Sequence, residues 1–302
     1  MIGILLLIFG LQFAFVGTTP INIWPEMFFF PWLVSKGLTP YVDFFDHHGF
    51  LLSYIVAPLL VDKTLLLVKM FFILIQVCNT TLIVLILSKY KKTFIVFLGG
   101  VLFVLLQNFY VENNFWHETV ITTFLLSGYF FSTRNRLLLA SSALALASGI
   151  RPTAAIFSFA LAFQKRSVIP IFTLLTFWFF AITFLFGLNS ISILKTALFD
   201  YNRFLLEQFS SNHIANEKIL LLGLGILISG LYIAVRQKVS SRFFVLLCWF
   251  LLTFVFLGLG YERTHMIPTV SFWVLLVISI FQKIHGYPRI LYGALIGATV
   301  LL

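Results

Sequence analysis

The stretch Lys36–Phe50, KGLTPYVDFFDHHGF, contains the densest group of ionisable side chains in this sequence. Asp43, Asp46, His47 and His48 fall within six residues, although only 10% of all residues are charged. Carboxylates and imidazoles at the edge of a membrane are costly unless they are paired or serve a function. Because the stretch follows the first hydrophobic run, we interpret it as the first half of an active site. The remaining chain is then the membrane scaffold that holds it.

The composition around this stretch is that of a membrane protein. Of the 302 residues, 61% are hydrophobic and 18% are aromatic, whereas a soluble domain carries about a quarter charged residues. The apolar stretches are continuous runs, not the alternating segments of about ten residues that build a transmembrane barrel. The sequence therefore predicts an all-α, polytopic helical membrane protein. Residues 1–302 are expected to form a single membrane-embedded domain without a soluble C-terminal domain.

The net charge of +10 follows the membrane topology and does not indicate a nucleic-acid partner. Short loops without any acid contain twelve basic residues: Lys89, Lys91, Lys92, Arg134, Arg136, Lys165, Arg166, Arg236, Lys238, Arg242, Lys283 and Arg289. By the positive-inside rule these loops are cytoplasmic. The ten acids lie in the other loops, which are then external: Glu26, Asp43, Asp46, Asp62, Glu112, Glu118, Asp200, Glu207, Glu217 and Glu262.

About eleven apolar runs are candidates for transmembrane helices, and their alternating direction agrees with the charge of every loop. They are Ile2–Val16, Thr64–Ser88, Phe94–Asn108, Val120–Ser132, Leu137–Ile150, Pro152–Phe163, Val168–Gly187, Ile219–Val235, Phe243–Gly260, Met266–Phe281 and Ile290–Leu302. The first external loop, Gly17–Lys63, is rich in aromatic residues and proline, which predicts short helices lying at the membrane interface. Proline disfavours a continuous helix at 149–152, so Arg151 is expected near the outer face.

Four groups of polar residues in the external loops are candidates for a functional site. The first is the Asp43–His48 group, which offers acids and imidazoles for a divalent cation at Asp43 and Asp46 but has no fixed ligand spacing. The other groups are Glu112 with His117 and Glu118, then Arg151, and finally Glu262 with Arg263 and His265. Ordinary readings remain open for all of them: a solvated loop face, helix caps, or a snorkelling arginine.

The stretch GLTPYVDFFDHHGFLLSYIVAPL, residues 37–59, resembles the first-loop signature of the GT-C superfamily. The branch concerned is that of the polyprenyl-phosphate-dependent glycosyltransferases (glycosyltransferase family 39). The matching residues are Gly37, Pro40, Tyr41, Asp43 and Phe44, and His48-Gly49 matches the start of a His-Gly-Pro element in which Phe50 here replaces the proline. The break GIRPT, residues 149–153, is similar to a helix break of that branch. The Arg263-x-His265…Pro268 stretch is similar to its late external motif.

This resemblance implies a GT-C-like fold and a glycosyltransferase, transferring a hexose or pentose from a polyprenyl-phosphate donor with inversion. A sugar phosphate has a good leaving group that needs cations, and the acceptor hydroxyl needs a base. Asp43 is expected to be that base, with Asp46 orienting the acceptor or binding a metal. The phosphate clamp is expected from Arg151, Arg263 and His265. Further substrate contacts are expected from Tyr41, His47, His48, His117 and Glu118.

The acceptor implied is a glycan, a lipid or a protein, and no cofactor is required beyond an optional divalent cation. The site is expected on the extracytoplasmic side of a multi-pass protein, and the absence of a retention signal favours a prokaryotic cell membrane. Two rivals stay open. A transporter or lipid flippase would place ionisable groups near the bilayer midplane, where these spans hold almost none, and a non-catalytic GT-C-like subunit would keep the fold alone.

Overall fold

The computed structural model describes residues 2–18, 20–61, 64–111, 113–200, 241–254 and 263–282. The predicted spans Ile219–Val235 and Ile290–Leu302 lie outside the described residues, as do the candidate residues Glu112 and Glu262. Within the described ranges the chain is predominantly helical, which confirms the all-α prediction. The one addition is a pair of two-residue strands.

Twelve α-helices are described in these ranges, and most of them start and end within a few residues of the predicted runs. They are α1 Ile2–Thr18, α2 Pro25–Ser35, α3 Leu51–Val56, α4 Leu66–Leu87, α5 Thr93–Val111, α6 His117–Thr133, α7 Leu137–Ile150, α8 Ile156–Lys165, α9 Ile169–Phe180, α10 Ile191–Lys195, α11 Ser241–Thr253 and α12 Ile267–Phe281. Among the described residues, three helical stretches are long and apolar enough to cross a membrane: Leu66–Tyr90, Thr93–Val111 and Ile169–Phe186. Each continuous helix follows from a run of apolar residues without an internal charge pair or break.

The predicted helix break lies where expected. Helix α7 ends at Ile150, Arg151 is extended with φ −140° and ψ 111°, and Pro152 opens a 3₁₀ turn that precedes α8. Proline restricts the residue before it to extended conformations, which accounts for the backbone of Arg151. The break therefore places the Arg151 side chain against Glu118 at the start of α6.

The first loop contains the predicted short helices α2 and α3. Helix α2 begins with Pro25 in its first turn, where proline costs no hydrogen bond, and Glu26 follows at the same positive helix end. Sequence reasoning missed the parallel strand pair in which Asn22 and Ile23 (β1) lie beside Asn114 and Phe115 (β2). This pairing joins the first loop to the segment that enters α6.

Helix α6 is central in the described part of the chain, since it packs against α4, α7 and α12. Helix α12 is buried along nearly its whole length, from Ile267 to Ile280. A buried glutamine network connects three other helices: Gln12 of α1 donates to Gln76 of α4 over 2.7 Å, and Gln107 of α5 donates to Gln12 over 3.2 Å. Such hydrogen bonds between apolar helices fix which faces meet.

The first loop docks on the helix break through backbone contact. The Gly49 N–H donates to the carbonyl oxygen of Ile150 over 2.8 Å. A Cβ atom at Gly49 would overlap with the backbone of Gly149 and Ile150, and a Cβ at Gly149 would lie 2.7 Å from the ring of Phe177. Glycine at both positions is thus what allows the two segments to touch.

We predict that Gly49→Ala lowers the stability of the protein, because the new methyl group meets backbone that has no room to move. The free energy of unfolding is expected to fall by about 1–3 kcal/mol or more, the usual cost of adding a methyl group to a packed core. Thermal unfolding of the detergent-solubilised protein measures it. Gly10→Ala in α1, where a Cβ meets nothing within 4 Å, is the matched control. Equal unfolding temperatures for the two variants would contradict the docking contact.

Candidate functional site

Four separate segments bring ionisable side chains to one place, which we name the polar cluster. Its members are Glu26, Asp46, His47, His48, His117, Glu118, Arg151 and His265. The first loop supplies four of them, the start of α6 two, the helix break one, and the turn before α12 one. The polar cluster therefore unites members of all four groups that the sequence singled out.

The end of the first loop is held by a tight turn. Tyr41 takes a left-handed φ of 63°, and its N–H donates to the carbonyl of Phe44 over 2.9 Å. Its hydroxyl donates to the backbone carbonyl of His48. Burial, followed by the charge of Asp46, raises the pKa of Tyr41, so its hydroxyl stays protonated and keeps this bond. Tyr41 is 1% exposed, and its hydrogen bonds to Phe44 and His48 stabilise the conformation of the loop.

Asp43 and Asp46 lie in different environments. Asp43 is exposed and its Oδ2 accepts the Thr39 N–H over 2.7 Å. Asp46 is 1% exposed, and its Oδ1 accepts the His48 N–H over 2.8 Å. Asp46 thus shapes the backbone that carries the imidazoles, while Asp43 faces solvent at the other end of the same turn.

Three imidazoles meet at the centre of the polar cluster, where the His48 ring stacks on that of His117 and is tilted by 43° against that of His47. The ring centroids of His48 and His117 are 4.0 Å apart at an interplanar angle of 17°, and those of His47 and His48 are 3.8 Å apart. Burial, together with the neighbouring His48 and Arg151, lowers the pKa of His47 to about 4. His47 is therefore neutral at pH 7.

Glu118 is the buried anion of the polar cluster. Its side chain is 2% exposed and its Oε1 accepts a charge-assisted hydrogen bond from Arg151. His265 Nε2 lies 3.7 Å from the same oxygen. Since the Trp116 indole donates to that nitrogen over 3.2 Å, His265 meets Glu118 without donating to it. Arg151 is thus the cation that makes the burial of Glu118 tolerable.

The polar cluster contains seven of the site residues predicted from the sequence: Asp46, His47, His48, His117, Glu118, Arg151 and His265. Asp43 stays on the exposed side of the loop. Arg263 is described by its backbone, which opens the 3₁₀ turn before α12. Sequence reasoning missed Glu26 and Trp116 as site residues. Their signals were a carboxylate in the first turn of a loop helix and an indole directly before His117.

One group of side chains in the described ranges is arranged to hold a metal ion. Glu26, His47 and His48 each offer a ligand atom, and these atoms lie within 4.8 Å of one another. The group contains neither Asp43 nor Asp46, which the sequence had suggested as metal ligands. Two imidazoles and one carboxylate form a donor set that suits zinc.

Comparison with known proteins leaves the chain without an assigned family. No protein-family model matches it, and no curated protein is significantly similar to it. The proposals below therefore rest on the geometry of the polar cluster and on the motif resemblance of the first loop.

We predict that Arg151→Met destabilises the protein strongly, because it leaves the Glu118 carboxylate buried without its cation. The expected loss is about 3–5 kcal/mol, and the double variant Arg151→Met/Glu118→Gln is expected to recover most of it. Thermal unfolding of the four proteins of this cycle measures the coupling. Arg134→Met, which removes an exposed arginine stacked on Phe130, is the control. Additive losses in the double variant would contradict the pairing.

Proposed function

We propose that this chain is a membrane glycosyltransferase that moves a sugar from a polyprenyl-phosphate donor to an acceptor hydroxyl on the external face. The observation that carries the proposal is the meeting of four separate segments in one polar cluster beside the exposed Asp43. A purely structural loop has no need to gather a carboxylate, an arginine and several imidazoles from such distant positions. The proposed reaction needs these groups: a base for the acceptor and cations for the phosphate.

Asp43 is the proposed general base. A base must reach its substrate, and Asp43 is exposed whereas Asp46 is buried and bonded to the loop backbone. The Thr39 N–H engages only Oδ2 of Asp43, which orients the carboxylate and leaves Oδ1 to accept the proton of the acceptor hydroxyl. The hydroxyl oxygen then forms its bond to the anomeric carbon as the bond from that carbon to the phosphate oxygen breaks. Attack from the face opposite the leaving group inverts the configuration.

Arg151 is the proposed contact of the donor phosphate. Its side chain is 26% exposed although it pairs with the buried Glu118. A guanidinium has five N–H donors, so Arg151 can hold Glu118 with one of them and offer others to phosphate oxygens. Developing negative charge on the leaving phosphate is stabilised by such a fixed cation. His265 lies beside the Glu118–Arg151 pair and His117 precedes Glu118 in the chain, so both belong to the proposed phosphate site. Arg263 precedes His265 by two residues.

The proposed setting is a multi-pass protein with its polar cluster on the extracytoplasmic side. Three helical stretches have the length and composition for crossing a membrane, and the basic residues of the loop between the first two of them are Lys91 and Lys92. Positive charge marks the cytoplasmic side. His117 and Glu118 of the polar cluster begin α6 directly after α5, at the end of α5 opposite Lys91 and Lys92, so the polar cluster faces outwards in this arrangement.

We predict that Asp43→Asn lowers sugar transfer about 10²- to 10⁴-fold, the usual contribution of a general base, while leaving unfolding unchanged. Purified protein in lipid vesicles is given a panel of polyprenyl-phosphate sugars, and both transfer and donor hydrolysis are measured. Asp200→Asn, another exposed aspartate, is the control and is expected to keep wild-type turnover.

Two results would overturn this proposal. Wild-type turnover in Asp43→Asn would remove the base. Failure of the wild-type protein to use any donor would favour the non-catalytic subunit, and movement of lipid or solute across the vesicles without transfer would favour the transporter.

We also predict opposite accessibility for two introduced cysteines, because one loop lies on each side of the membrane. In a background with Cys78 and Cys248 replaced by serine, Val42→Cys should react with an impermeant maleimide added outside whole cells. Arg134→Cys should react only after the membrane is opened. Both positions are exposed side chains, so labelling of both from the same side would contradict the proposed topology.

A further inference from the structure

We propose that Glu26, His47 and His48 form a binding site for a divalent cation of the zinc class. The three side chains come from two elements, the first turn of α2 and the loop that precedes α3. One ligand atom of each lies within 4.8 Å of the other two. The proposal concerns these ligands and does not depend on the identity of any sugar or acceptor.

The spacing of the donors is close to that of a bound ion. Zinc bonds of about 2.0–2.2 Å in tetrahedral geometry place neighbouring ligand atoms about 3.3–3.6 Å apart. His48 Nε2 lies 3.9 Å from Glu26 Oε2. Glu26 is a half-exposed side chain at a helix start, and a small rotation of its carboxylate closes this difference.

The position of the neighbouring aspartate supports the same site. His48 Nδ1 lies 3.4 Å from Oδ1 of the buried Asp46, while the Nε2 atom on the other side of the ring points towards Glu26. A metal-bound histidine characteristically directs its second nitrogen at a carboxylate, which fixes the tautomer and the ring orientation. Asp46 is therefore a positioning residue that presents the Nε2 lone pair of His48 to the cation.

The charges of the site also call for a cation. The carboxylates of Glu26 and Asp46 flank His48, and in the described part of the chain His48 is the ion-pair partner of Asp46. With its proton on Nδ1, His48 would direct a lone pair at the Glu26 carboxylate, and these two groups repel unless a cation stands between them.

The donor set defines the chemical class of the ion. Two imidazoles and a carboxylate suit zinc better than magnesium or calcium, which prefer oxygen ligands. Three protein ligands leave a fourth position for water or for a substrate oxygen. If the proposed function holds, the phosphate of the lipid donor is the substrate group whose oxygen fits that fourth position.

Zinc binding by the purified full chain tests the site. After chelation and re-addition of zinc, we expect one zinc per chain by elemental analysis. Affinity measured against a chromophoric chelator should fall at least about 100-fold in Glu26→Gln, His47→Gln and His48→Gln. Asp46→Asn should lose about 10- to 100-fold, the usual effect of removing the partner of a metal-bound histidine. His265→Gln and Asp43→Asn, an imidazole and a carboxylate outside the triad, should retain wild-type affinity.

X-ray absorption at the zinc edge keeps the test decisive if a variant fails to fold. The wild-type protein should show nitrogen and oxygen neighbours at about 2.0–2.2 Å with the scattering of two imidazoles, and no sulfur. Absence of zinc from the wild-type protein, sulfur in the coordination shell, or unchanged affinity in the triad variants would overturn the site. If the cluster binds sodium or protons in place of zinc, the wild-type protein will contain no zinc.

The two proposals fail separately. Zinc bound by the triad in a protein that transfers no sugar would leave the site standing and remove the enzyme. Transfer that persists in a protein unable to bind zinc would do the reverse. Transfer that is lost on chelation and regained with zinc, in wild type but not in His47→Gln, would join the two.

Discussion

The close approach of Gly49 to Gly149 and Ile150 is the contact on which the rest of this site depends. It fixes the His47–His48 segment against the end of α7, and the proline that ends α7 fixes Arg151 beside it. A backbone hydrogen bond between two segments about a hundred residues apart is possible only because both glycines lack a side chain. Together with the β1–β2 pairing, it sets the position of the first loop over the helices, so that the groups on either side can meet.

Burial of charge is the second constraint. Glu118 lies at the start of α6, which packs against α4, α7 and α12, and its side chain is 2% exposed, so its carboxylate is removed from water. Arg151 compensates that charge from the helix break, and the buried Asp46 accepts the backbone N–H of His48 within its own loop. Each acid of the polar cluster thus has a partner from the first loop or from the helix break. Asp43, by contrast, is exposed and accepts the Thr39 N–H at one oxygen, which suits its proposed role as a base that must meet substrate.

The proposed cation site and the proposed phosphate contact occupy adjacent parts of one surface. His48 lies beside the Glu26 carboxylate, and its ring stacks on that of His117, the residue before Glu118. A cation on one side and a guanidinium on the other would hold an anionic lipid headgroup between two positive charges. The Phe50 side chain, which stands where the resembling family has proline, packs against Phe177, Trp178 and Phe186. These ring contacts hold Phe50 in place, and with it the neighbouring Gly49 that contacts the helix break.

The sequence by itself determined the helical class, the bounds of α7, the break at Pro152 and the choice of the Asp43–His48 stretch, because continuous apolar runs, proline and rare charges act locally. Tertiary structure alone decided which charges meet. The pairing of Glu118 with Arg151, the stacking of His48 on His117, and the recruitment of Glu26 all join residues far apart in the chain, and no local spacing encodes them. The different fates of Asp43 and Asp46 were equally hidden, since burial depends on what packs over a loop and not on the residues within it.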